Sequence, residues 1–191
     1  MIDVSEKERT SRVAVARAEL RCSREALKLL NEGRLEKGDA LAAARIAGVM
    51  AAKRTPDFLP LCHPIALSGA DVEVAADEKE GLVRIEARVH AIERTGVEME
   101  ALCAAAAAAL TVYDMVKRHD RGMELISLRL VHKSGGRTGE WNRSGEELGI
   151  GTLVAAALTP PAQPPGSPAG NSNRTQGPDI TPARGSRKVN R

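Results

Sequence analysis

Aromatic residues are nearly absent: the 191-residue chain has one Phe, one Tyr and one Trp, at Phe58, Tyr113 and Trp141. Its core must therefore be built from Val, Ile, Leu and Ala, which gain little per residue, so self-association would help to bury more area. The same scarcity excludes the base-stacking platform of an RNA-recognition module. The three cysteines, Cys22, Cys62 and Cys103, are odd in number and far apart. That excludes a disulfide framework and predicts reduced thiols in a cytoplasmic protein. Cys62-His63 has no second Cys/His pair at metal spacing, so no metal site is expected. GxSxG, GxGxxG and the Walker spacing are missing as well. The opening MIDVSEKERT is polar, without the pattern of a signal peptide, and no apolar run combines the length and hydrophobicity expected of a membrane span.

A strong excess of charge is also missing. The formal net charge is +3, while Val154–Arg191 alone carries five basic residues and one acid, a net +4. The basic character thus belongs to the tail, and the rest is close to neutral, which counts against a dedicated nucleic-acid domain. Pro, Gly, Ser, Asn and Thr dominate the tail, too little apolar surface to offset the entropy of ordering. Residues 1–141 are expected to form one folded domain and 142–191 a disordered Pro/Gly-rich basic extension. The extension is either a solvated appendage or a contact for RNA or an acidic partner.

What is present centres on Lys37–Pro64. Asp39 is a good N-cap for an Ala-rich helix over about 39–55, with Ala42, Ile46, Val49, Met50 and Lys53 at helical spacing. Thr55-Pro56 ends it. Pro60 and Pro64 then bracket Leu61-Cys62-His63. Two prolines around one histidine suit a stiffened site loop, although a plain proline-rich connection with a surface histidine gives the same pattern.

Along the rest of the chain, residues 12–22 alternate as a strand, with Val13 and Val15 on one face and Arg12, Ala14 and Ala16 on the other. Ser23 caps a short helix stopped by Gly33. Ala70–Ala76 and Leu82–Ile92 alternate around a turn at 77–81 and read as a hairpin with Val72, Val74, Val83, Ile85, Ala87 and Val89 inward. A second long helix runs from about Val97 to Lys117, and Met123–Lys133 is a final strand. The order β-α-β-β-α-β predicts an α+β, ferredoxin-like fold: an antiparallel sheet with helices packed on one face.

Leu102–Val112 has no charged residue, which implies burial nearly all round or packing on a partner subunit. Asp114 is out of place near a helix C-terminus, three residues before Lys117. It is either half of a local ion pair or an acid/base group at the edge of a pocket. Lys133-Ser-Gly-Gly-Arg-Thr-Gly139 could turn backbone N–H groups toward an anion.

KGDALAAARIAGVMAAKRT, LPLCHPI, TGVEMEAL, YDMVK and KSGG, with the opening MIDVSEK, closely resemble the MoaC family, the cyclic pyranopterin monophosphate synthases of molybdenum cofactor biosynthesis. The resemblance covers about residues 1–140 and leaves the tail outside. It implies a phosphorus–oxygen lyase acting on 3′,8-cyclo-7,8-dihydro-GTP and releasing cyclic pyranopterin monophosphate and pyrophosphate. It also implies a homohexamer, a trimer of dimers, with each active site at a dimer interface. By motif, Lys37 and Lys117 match the catalytic lysines and Asp114 the catalytic aspartate. His63 matches a substrate-binding or proton-handling residue, and Cys62 lines the same loop. Met99 and Glu100 match the contact to the base, and Lys133 a lysine near the triphosphate. No resident cofactor is implied, although Mg²⁺ could travel with the triphosphate; neither nucleic acid nor membrane is expected as a partner. Arg118-His119-Asp120-Arg121 is more charged than the family leads one to expect. The alternative is a non-catalytic ferredoxin-like module that binds a nucleotide or RNA through the glycine loop and basic tail.

Overall fold

A computed structural model describes residues 1–146, and the expected disorder from residue 147 onward lies outside the described residues. The elements are β1 (Thr10–Arg21), α1 (Arg24–Asn31), α2 (Ala40–Lys53), α3 (Thr55–Phe58), β2 (Leu67–Asp77), β3 (Leu82–Glu93), α4 (Glu98–Val116), β4 (Glu124–Ser134) and β5 (Trp141–Asn142). They form one five-stranded sheet in the order β2-β3-β1-β4-β5. Each neighbouring pair is antiparallel. β3 lies between β1 and β2, so those two run the same way with an antiparallel strand interposed. This is the split βαβ order that the β-α-β-β-α-β pattern predicts.

Period-two alternation decides which face is covered. Ala14, Ala16, Ala18 and Leu20 of β1 and Val83, Ile85, Ala87 and Val89 of β3 are buried, and Val72 and Val74 of β2 continue the layer. α4 covers this face with Ala101, Ala105, Ala108 and Val112, all fully buried. The opposite face carries charge: Arg17 pairs with Glu86 across the sheet.

α2 lies beside α4 and against β2. Its buried face is Ala40, Ala44, Gly48 and Ala52, a row at four-residue spacing that lets two helices approach closely. A Cβ on Gly48 would lie 2.9 Å from the Ala104 carbonyl oxygen and 3.0 Å from a Val72 methyl. The larger residues of the expected pattern look elsewhere: Ile46 and Met50 are exposed. Size rather than hydrophobicity selects the inward residues at this contact. Pro56 ends α2 as expected, but it also sits in the first turn of α3, where a missing N–H costs nothing.

Two further expectations change. By length and composition α4 would pass as a membrane span, but half of its apolar window is buried in the fold. The folded part also continues past 141, because β5 pairs with β4 through His132–Asn142 and Lys133–Trp141.

Candidate active site

The residues singled out in the sequence gather at the two ends of α4. At its C-terminal end, Lys37 Nζ donates to Asp114 Oδ2 at 2.6 Å and to the Asp114 carbonyl at 2.9 Å. Lys117 Nζ meets Asp114 Oδ1 at 2.7 Å. Each carboxylate oxygen thus has its own ammonium. Hydrogen bonds from Lys117 and then Lys37 hold the Asp114 carboxyl down at about 2, so it stays ionised. α4 has no basic residue within its last turn, and Lys117 at its C-cap together with Lys37 supplies the positive charge that the helix dipole favours there.

Local structure sets Lys37. Gly38 adopts φ 93°, a left-handed turn open to glycine, and Asp39 caps α2 by accepting from Ala42 N–H at 2.9 Å. Arg118 pairs with Glu36, the neighbour of Lys37. Asp120 accepts from Ser23 N–H at 2.7 Å and Gly122 N–H at 2.8 Å. The unusually charged 118–121 run therefore fastens the turns around the triad.

At the N-terminal end of α4, Cys62 Sγ lies 3.6 Å from Glu100 Oε1. Glu100 is only 2% exposed, and its other oxygen, Oε2, has no hydrogen-bond partner. Burial pushes the Glu100 carboxyl above its ordinary range. Burial, and then Glu100, pushes the Cys62 thiol up to about 11. Cys62 is a protonated thiol near neutral pH, a donor rather than a nucleophile. A cavity of about 530 Å³ opens here, lined by Ile2, Lys7, Cys62, His63 and Met99 among others. The N-terminal segment forms one wall. Asp3 is held below its ordinary range, chiefly by hydrogen bonds from Ser5.

A second cavity of about 580 Å³ shares Lys7, Thr95 and Gly96 with the first and adds Arg12, Arg94, Arg137 and Thr138. Glu6 and Glu8 lie at its wall, so it is basic but not purely so. Gly135 and Gly136 adopt φ 93° and 70°. A Cβ on Gly136 would fall 1.8 Å from Arg12 Nη1, so only glycine lets Arg12 lie beneath the loop. The Arg12 Nε also donates to the Glu93 carbonyl at 3.2 Å. Lys133 does not line either cavity; its ammonium donates to Thr138 Oγ1 and, at 3.0 Å, to the Gly139 carbonyl.

The structure thus brings together Lys37, Asp114 and Lys117, and separately Cys62, His63, Met99 and Glu100. It does not bring the two groups together within one chain. Fourteen helical positions separate Glu100 from Asp114, about 21 Å along the axis at about 1.5 Å per residue. Sequence reasoning missed Lys7, Arg12 and Arg94 as a cluster. Arg12 read only as one alternating strand residue, and the best signal was Arg94-Thr-Gly96 at a strand-to-helix turn. Among the described residues no group of three His, Cys, Asp or Glu side chains could hold a metal ion.

The chain is similar to known proteins over most of its described length. A profile of the MoaC family matches residues 1–136. The chain is 54% identical over 147 residues to the cyclic pyranopterin monophosphate synthase of Thermomicrobium roseum, covering 77% of this chain and 89% of that protein. It is 51% identical over 147 residues to the synthase of Pelotomaculum thermopropionicum, covering 77% and 86%. It is 55% identical over 140 residues to that of Roseiflexus castenholzii, covering 73% and 89%.

Proposed function

This chain belongs to the MoaC family, and from that membership we propose that it is a lyase converting 3′,8-cyclo-7,8-dihydro-GTP to cyclic pyranopterin monophosphate and pyrophosphate, in a site completed by a second copy of the chain. The observation that carries the shared site is the separation of the two clusters along α4. A general acid or base must come within about 3 Å of the proton it moves. One pterin ring cannot meet both clusters of a single chain.

An antiparallel pairing of two α4 helices removes the difficulty. A two-fold axis through Ala107 sets position 114 of one helix opposite position 100 of the other. Met99, Leu110 and Asp114, spaced along one side of α4, are all exposed, as is Ile46 on α2. That side is apolar in its middle and functional at its ends, which suits an isologous contact. Lys117 and Asp114 of one copy would then stand beside the first turn of α4 in the other, where Met99 is exposed and Glu100 lies beneath it. A dimer of this kind is the unit from which the hexamer, a trimer of dimers, would be built.

In this site the lysine–aspartate–lysine triad and Glu100 exchange protons with ring nitrogen and oxygen as the cyclised purine opens and recloses. Cys62 donates its S–H to Glu100, and His63 handles protons beside Met99. For the cyclic phosphate, a substrate hydroxyl gives its proton to a general base of the site as its oxygen attacks the α-phosphorus. The bond from that phosphorus to the bridging oxygen breaks, and pyrophosphate leaves with the electron pair. Lys7, Arg12, Arg94 and Arg137 supply the positive field for the phosphate chain. No resident cofactor is required, and any Mg²⁺ enters as the counterion of the triphosphate.

Mixing two inactive variants tests the proposal. Lys117→Ala and Glu100→Gln are each expected to abolish turnover. Unfolded and refolded together, they form mixed dimers in which one of the two sites has both residues intact, restoring about a quarter of wild-type activity. No restoration from well-folded mixed oligomers would place both residues in one chain's site and sink the shared arrangement. A wild-type protein that releases no pyrophosphate from the cyclised GTP would sink the activity itself.

A further inference from the structure

The open face of the sheet holds a charge arrangement that the reaction does not use. Arg17 of β1 and Arg129 of β4 lie directly opposite each other, an unfavourable pairing of like charges. Glu86 takes Arg17 Nε at 2.7 Å and Glu19 takes Arg129 Nη1 at 3.5 Å. Glu146, which follows β5, offsets this repulsion from a third side. Its Oε2 lies 2.8 Å from Arg17 Nη1, and its Oε1 pairs with Arg129 Nε. The three side chains are only 16–22% exposed, so this carboxylate bridge is less screened than a surface pair.

Glu146 also lies on the segment that begins with the glycine loop. From Ser134 the chain passes through Gly135–Gly139, pairs as β5, and sends the Arg143 N–H to the Val131 carbonyl at 2.9 Å. The Arg143 guanidinium donates to the Leu130 carbonyl at 2.7 Å. The loop that carries Arg137 and Thr138 into the basic cavity is therefore pinned by β4 on one side and by β5, Arg143 and Glu146 on the other. We propose that Glu146 is a positioning residue: by bridging Arg17 and Arg129 it latches the returning segment to the sheet and so holds Arg137 and Thr138 where they meet a polyphosphate. Both arginines keep the Glu146 carboxyl below its ordinary range, Arg129 more than Arg17, so the latch stays closed through neutral pH.

The proposal rests on the reading that the basic cavity receives the phosphate chain. The test uses the full-length protein, with inorganic pyrophosphate as the probe in calorimetry and the cyclised GTP in steady-state kinetics. Glu146→Gln, which keeps size and removes charge, is expected to weaken pyrophosphate binding and raise KM about tenfold, the scale of one charge-assisted hydrogen bond, with kcat nearly unchanged. Glu146→Asp, which keeps the charge, is expected to fall between the two. Wild-type binding of pyrophosphate with Glu146→Gln unchanged would overturn the latch and leave the cavity reading standing. No pyrophosphate binding by wild type would remove the cavity reading and the latch with it. Loss of the fold, or a drop confined to kcat, would assign Glu146 to stability alone and overturn the proposal.

Discussion

Lys37 and Asp114, 77 positions apart, are joined twice: one ammonium reaches both the carboxylate and the backbone carbonyl of the same residue. The contact ties the loop before α2 to the last turn of α4, and Lys117 closes it from the other side at 2.7 Å. Asp114 is thus the shared counterion of the two lysines proposed as catalytic, and it fixes how far apart their ammoniums sit.

Asp114→Asn should cost about 100-fold or more in kcat/KM, the scale of a displaced acid/base group, with little change in Tm because the triad is exposed. The sign of the pH dependence follows from the depressed carboxyl. With a folded value of about 2 against an ordinary 3.8, its contribution is complete above the ordinary value and fades only as pH falls through about 2. Asp114 therefore sets no limb of a pH–rate profile between pH 5 and 9. A wild-type acidic limb in that range that disappears in the asparagine variant would contradict the assignment.

Gly48→Ala reverses the usual effect of that substitution. In an exposed helix, alanine for glycine stabilises by about 0.5–1 kcal/mol. Here the new methyl would lie 2.9 Å from a backbone oxygen of α4 and 3.0 Å from Val72. The backbone oxygen cannot swing away as a side chain can. Overpacking is expected to cost about 1–3 kcal/mol, read as a lower urea midpoint with an unchanged m value. A midpoint equal to or above wild type would mean that α2 and α4 are further apart than described.

The sheet was legible because alternation is a local signal: Val83, Ile85, Ala87 and Val89 mark their own buried face. The inward face of α2 was not, because Ala44, Gly48 and Ala52 carry almost no hydrophobic contrast and are chosen by the closeness of α4. In the candidate site, each motif gave its residue type but not its neighbours. Nothing in the sequence says that Asp114 meets Lys37 rather than only Lys117, since that contact depends on how a loop and a helix end are stacked. Lys7, Arg12 and Arg94 come from three separate segments and converge only once β1 and β3 are paired. Glu146 was hidden for a different reason: it stands at the start of a Pro/Gly-rich stretch, and composition gave no hint that its first residues return to the sheet.

Cys62 offers the sharpest test of chemistry against appearance. A cysteine beside a histidine in a stiffened loop invites reading as a nucleophile. Its thiol is pushed up to about 11, first by burial and then by the Glu100 carboxylate, so the thiolate forms only as pH rises through that value. Iodoacetamide should label Cys62 slowly at pH 7, with a rate that climbs about tenfold per pH unit below the thiol's pKa. Cys62→Ser keeps a donor within reach of Glu100 and should retain turnover within about tenfold of wild type. Rapid inactivation by iodoacetamide at pH 7, matched by a Cys62→Ser variant as inactive as Lys117→Ala, would require a thiolate at neutral pH. The buried Glu100 carboxyl makes that thiolate unfavourable, because a second negative charge would have to form 3.6 Å from an oxygen that already lacks solvent.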